Sequence, residues 1–127
     1  MKKIGLIILL WMALSSAARA EWVLYGDNGK AAFYYDPGTV RLENNRVSVW
    51  EMVDYSFPLN RVLSNKSHNE YDCVERTFRN LAGAFYDQRM LQGKLISQSQ
   101  EPEENWRSTV EGTRNHELMT MVCPRLI

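Results

Sequence analysis

Two cysteines, Cys73 and Cys123, stand 50 residues apart in a chain of 127 and are its only ones. What they impose on the fold depends on the redox compartment, and the first twenty residues, MKKIGLIILLWMALSSAARA, speak to that. Lys2 and Lys3 make a short basic start, and Ile4 to Leu14 is an unbroken run of 11 apolar or glycine residues. Ala18-Arg-Ala20 fits a small-x-small cleavage site. The apolar run is well short of the roughly 20 residues that a membrane-spanning helix needs. We read a bacterial secretory leader, cut before Glu21, and no transmembrane helix in what remains. A lipid-anchored bacterial chain would carry an acylated cysteine at that point, where this one has Glu21. The expectation is an exported protein without a lipid anchor, periplasmic or at the cell surface.

In such a compartment two cysteines most simply form one disulfide. Closing a loop of about 50 residues would stabilise the fold by about 4 kcal/mol in the chain-entropy picture. A metal site is the alternative, but His68 and His116 lie at no ligand spacing from either cysteine. A nucleophilic thiol fits poorly outside the cytoplasm. Removing residues 1–20 takes away Lys2, Lys3 and Arg19 but no acid, leaving 12 basic and 15 acidic residues, a net charge of −3. With no basic face in evidence, nucleic acid and anionic membrane are poor partners. The remaining 107 residues suit one domain, spanning 21–127.

Strand signals fill most of that domain. Trp22 to Tyr25 and Ala31 to Tyr35 are rich in strand formers and are separated by the turn cluster Gly26-Asp-Asn-Gly29. Asp36-Pro-Gly-Thr39 reads as a second turn and Val40 to Leu42 as a short strand. Along Arg46 to Tyr55, Val47, Val49, Val53 and Tyr55 share one face, while Trp50 and Met52 share the other. Apolar residues on both faces suit a central strand, although Glu51 interrupts the first face. Phe57 to Asn69, rich in Asn and Ser, reads as a long mobile loop. Its Asn65-Lys-Ser67 triplet matches a glycosylation acceptor, a chance match in a bacterial chain. Tyr71 to Arg79 alternates as a strand with Cys73 in its middle. After a break at Asn80-Leu81, Ala82 to Met90 and Gly93 to Ser97 continue the pattern. Short links imply an antiparallel meander of about six strands.

The tail differs. Thr113 is a candidate N-cap, and Leu118, Met121 and Val122 recur at helical spacing before Pro124. Leu118, Met119, Met121 and Val122 are expected in the core, with Trp106 and Val110 as further apolar anchors. The fold expected is therefore α+β: one antiparallel sheet with a C-terminal helix packed on it and tied to it by Cys73 and Cys123.

Catalytic groupings are not evident. His68 in the polar loop and His116 in the first helical turn are expected to be exposed. Glu101, Glu103 and Glu104 are expected to be solvated. No Gly-x-Ser-x-Gly, His-Glu-x-x-His or phosphate-binding glycine loop occurs. We expect no enzyme, no cofactor and no metal. The tyrosines and tryptophans are better candidates for binding. Tyr34 and Tyr35, beside Asp36, are the candidate ligand residues, because neighbours in a strand face opposite ways.

The order Trp22, Tyr34-Tyr35-Asp36, Val49-Trp50, Asp54-Tyr55, Tyr71-Asp72-Cys73, Trp106 and Val122-Cys123 resembles the bacterial surface-adhesin E (protein E-like) family over nearly the whole exported chain. The resemblance implies a curved antiparallel sheet with a disulfide-tethered helix. It also implies a protein ligand: attachment to host matrix proteins such as laminin and vitronectin, or to plasminogen. This chain shows no lysine-rich patch for such contacts. A second function class stays open, a periplasmic module that binds an envelope component or inhibits an enzyme such as lysozyme, with loop 57–69 as the inserting element.

Overall fold

The computed structural model describes residues 20–124. The leader read at 1–20 lies outside them but for Ala20. Seven strands and one α-helix follow in order, with a single 3-10 turn at Arg89–Leu91 between the fifth and sixth strands where the sequence suggested strand to Met90: β1 Val23–Asp27, β2 Ala31–Glu43, β3 Arg46–Leu59, β4 Val62–Asp72, β5 Thr77–Tyr86, β6 Leu95–Ser99, β7 Arg107–Ser108 and α1 Arg114–Val122. The first six lie side by side in sequence order, and β7 pairs with β5. All pairings are antiparallel. A single antiparallel sheet with one disulfide-tethered C-terminal helix is thus the observed fold, with the two-residue β7 added to the expected six strands.

Several boundaries differ from the sequence reading. β2 runs unbroken through Asp36-Pro-Gly-Thr39, which is not a chain-reversing turn. The register against β3 shifts between Asp36 and Arg41, so the Pro-Gly pair makes a bulge. Val40 to Leu42 is the far half of β2, not a separate strand.

The expected loop at 57–69 is a β-hairpin. β3 continues to Leu59 and β4 begins at Val62, joined by Asn60 and Arg61 with φ of 49° and 68°. Paired positive φ values are what a tight two-residue hairpin turn requires. β4 is poor in strand formers, but β3 and β5 pair with it on both sides, and its polar side chains find partners above and below the sheet. Asn65 Nδ2 donates to the Tyr55 hydroxyl at 2.9 Å. Ser64 donates to the Gln88 carbonyl at 2.5 Å and accepts from the Leu91 amide at 2.9 Å. Context overrides propensity here.

Cys73 is not mid-strand. β4 stops at Asp72, and Cys73 opens a turn in which the Asp72 carboxylate accepts from the amides of Val74 and Glu75. The expected break at Asn80-Leu81 is an irregularity inside β5, opposite His68 and Asn69.

Helix α1 begins as expected. Thr113 caps it, its hydroxyl accepting from the His116 amide at 3.4 Å. A helix of nine residues is marginal alone, so packing must hold it. Leu118 and Met119 bury themselves against Val49 and Tyr71, with Tyr35, Val40, Phe78 and Val122 around them. Each fully buried aliphatic side chain contributes about 1.5–3 kcal/mol. Met121 does not join this core and is half exposed, and Val110 is exposed. The helix turns only a narrow stripe inward, and Met121 falls outside it. The Cys73–Cys123 disulfide, with Cα atoms 5.7 Å apart, ties the helix end to the β4–β5 turn.

Candidate functional site

Residues opposite each other in the ladders share a face, which sorts the sheet into two. Tyr35, Glu51 and Ser67 lie in one row beneath the helix, and Phe33, Val53, Asn65 and Phe85 in the next. The helix covers the end of this face near Val47, Val49 and Tyr71. The other end is open.

Glu51 marks the border. Fully buried, it occupies the place of a core residue on the face that Val47, Val49 and Val53 define. The interruption seen in the sequence is not a register error, because the carboxylate is caged by neutral donors. The Tyr71 hydroxyl donates to Oε2 at 2.6 Å, Asn69 Nδ2 to Oε2 at 2.5 Å, and the Tyr25 hydroxyl to Oε1 at 3.2 Å. Asn115 of α1 donates to the Tyr71 oxygen at 3.3 Å, and Asn80 to the Asn69 carbonyl oxygen at 3.0 Å. Burial pushes the Glu51 carboxyl above the usual range, opposed by these hydrogen bonds and by the charge of Arg114. Burial, followed by the Glu51 charge, raises the Tyr25 and Tyr71 phenols.

Two grooves occupy the open end, and Arg114 walls both. One, about 360 Å³, is apolar: Phe33, Val53, Tyr55, Phe57 and Leu59 line it, with Lys30 at its rim. The second, about 410 Å³, is mixed, lined by Asn65, Ser67, Asn80, Ser97 and Ser99 together with Phe78 and Phe85. The Arg114 guanidinium lies over the Phe33 ring, 5.3 Å from its centroid, and makes no ion pair among the described residues. Phe57 and Leu59 are 67% and 57% exposed, unusual for large apolar residues standing together beside a cation.

The residues singled out by sequence are dispersed. Tyr35 lies on the helix face, edge-on to Tyr25 at 5.9 Å, whereas Tyr34 lies on the opposite face across from Met52; both are half-buried. Asp36 is buried at the β2 bulge, where its carboxylate accepts from the Gly38 amide at 3.0 Å. The structure does not gather these three into one pocket. Cys73 and Cys123 are bonded to each other, which removes both the metal-ligand and the free-thiol alternatives.

His68 is not an exposed loop residue. It stacks on Trp50, on the face away from the helix, with centroids 4.8 Å apart and planes within 7°. His116 is half-buried, with Nδ1 unpartnered. Glu103 is not simply solvated: its side chain meets Arg107 at 3.1 Å and its amide donates to the Asn80 carbonyl at 2.8 Å. Trp106 is half-buried between the guanidinium groups of Arg46 and Arg79, each 4.9 Å from its ring centroid.

Sequence reasoning missed Glu51 as a caged group, and missed Arg114, Phe57 and Leu59 altogether. The alternation Val53, Tyr55, Phe57, Leu59 was visible, but Pro58 and the polar residues after it hid the strand.

Comparison with known proteins places this architecture. No curated protein matches the chain in sequence. Among solved structures, protein E of Haemophilus influenzae is similar in fold. Its crystal form II superposes with a TM-score of 0.61 at 17% identity, covering 86% of this chain and 91% of that one. A selenomethionine form gives 0.63 at 16%, covering 86% and 90%. Protein E from a non-typeable strain gives 0.61 at 15%, covering 86% and 79%. The profile of the family described as surface-adhesin protein E matches residues 22–124. The chain belongs to the surface-adhesin protein E family.

Proposed function

We propose that the protein is a non-enzymatic surface adhesin that grips a host extracellular protein with the open end of its helix face. Family membership supports the class, and the observation that carries the site is the apolar groove holding exposed Phe57 and Leu59 between Lys30 and Arg114. Aromatic and arginine side chains at the centre of a patch are where binding energy concentrates. An apolar anchor of the ligand would fill the groove while an acidic neighbour meets Arg114. Laminin, vitronectin and plasminogen are the ligands to test first. Segment 57–69 is a β-hairpin turning at Asn60-Arg61 and not a mobile loop, so in the inhibitor alternative the inserting element would be that hairpin tip.

The test has two arms. Surface plasmon resonance on the immobilised host proteins should show saturable binding that Phe57→Ser and Arg114→Gln each weaken at least about tenfold. Protease treatment of intact bacteria should remove the protein. Absence of binding to all three ligands, or full protection in intact cells, overturns the proposal.

A further inference from the structure

The face away from the helix carries a slot of its own. Trp50 and His68, paired across β3 and β4, stand up from the sheet as a stacked pair. Beyond His68 the next strand offers a floor of small residues, Ala82, Gly83 and Ala84, with Leu81 at the β5 irregularity closing one end. Ala82 lies opposite His68, and Ala84 lies opposite Gln98 of β6. The result is a cavity of about 320 Å³, walled by the imidazole on one side and by Gln98 and Gln100 on the other. That is the small end of the range of about 300–1,000 Å³ usual for small-molecule sites.

Its dimensions and chemistry select the occupant. Neighbouring strands stand about 4.8 Å apart, so β4 and β6 are separated by about 9.6 Å. A ring resting about 3.5–4 Å from the imidazole plane fits with room for contacts to the glutamines. Among the described residues, neither the His68 ring nitrogens nor the Gln98 and Gln100 amides hydrogen-bond to other protein side chains or backbone. These groups are neutral and combine donors with acceptors. Burial holds the imidazole neutral further into the acid range, against a smaller opposing pull from Glu70. A hydroxyl-rich, uncharged ring matches every part: its C–H face meets the negative face of the aromatic wall, and its hydroxyls meet the amides. No cation lines the slot itself; the nearby Lys66 ammonium is engaged over the Trp50 ring, 5.3 Å from its centroid.

We propose that this slot binds one neutral pyranose residue of a glycan, stacked on His68 backed by Trp50 and hydrogen-bonded by Gln98 and Gln100. The site lies on the opposite face from the protein-binding groove and stands independently of it.

Amide-resolved NMR titration of the purified protein tests this, using methyl β-D-galactopyranoside, methyl α-D-glucopyranoside, methyl α-D-mannopyranoside and N-acetylglucosamine. At least one should give saturable shifts confined to Trp50, His68, Ala82 to Ala84 and Gln98 to Gln100. His68→Ala and Gln98→Ala should each weaken that binding at least about tenfold. Ala82→Leu, which fills the floor and leaves the aromatic wall in place, should abolish it while thermal unfolding confirms a folded chain. No shift with any of the four sugars overturns the proposal. So does binding that survives Ala82→Leu, or shifts produced only by adenosine monophosphate or phenylalanine amide.

Discussion

The two ends of the helix face are built from the same strands and face the same way, yet one is sealed and the other bare. At the sealed end, Val49 and Tyr71 lie under Leu118 and Met119, and the disulfide holds the lid down. At the bare end, Phe57 and Leu59 are exposed, and Phe33 is half-buried under the Arg114 guanidinium. Under the proposed function, stability and recognition are separated along a single surface, with caged Glu51 at the border. Substitutions on either side should therefore have opposite signatures.

The largest effect is expected from opening the lid. Replacing both cysteines by serine should cost up to about 4 kcal/mol in urea unfolding, and any loss of binding should come through Arg114, which the helix carries to the groove, and not through Phe57 or Leu59. Leu118→Ala should cost about 2–5 kcal/mol by leaving a cavity over Tyr71. A loss under about 0.5 kcal/mol in either experiment would mean that the helix is not the sealing element.

The border should respond to pH. The folded Glu51 carboxyl is raised above its unfolded value, so its contribution favours folding below the ordinary carboxylate range. That contribution fades as pH rises through the folded value. Glu51→Gln keeps hydrogen-bonding capacity without the charge. It should therefore flatten the profile, removing a slope that approaches about 1.4 kcal/mol per pH unit. Parallel profiles for the two proteins would show that Glu51 is not the titrating group.

The smallest change in stability belongs to the bare end. Phe57→Ser should shift unfolding by only about 0.5 kcal/mol while lowering ligand binding. A loss above about 2 kcal/mol would place Phe57 in the core and break the division.

The sealed end was largely legible in the sequence. Thr113, the Leu118 spacing and the cysteine pair announce a capped helix fastened to a sheet. The bare end was not, because its hairpin turn uses Asn60-Arg61 where a glycine would have signalled it. The polar run from Ser64 to Asn69 looks like a loop until its partners Tyr55, Glu51 and Trp50 are known. Those partners are distant in sequence, and nothing local encodes them. The placement of Cys73 failed for a similar reason: Tyr71 to Arg79 alternates as well as any strand, and only the Asp72 carboxylate folding back on two amides makes it a corner.

The cage around Glu51 also bears on how the chain avoids wrong structures. It draws one residue from β1, two from β4 and, through Asn115, one from the helix. A one-residue slip in any of these strands would turn its donors to the other face and leave a carboxylate stranded without partners, at a cost of several kcal/mol. Apolar side chains alone would forgive such a slip, since β3 carries them on both faces. One acid placed where a valine could have stood lets only the correct strand alignment bury it safely.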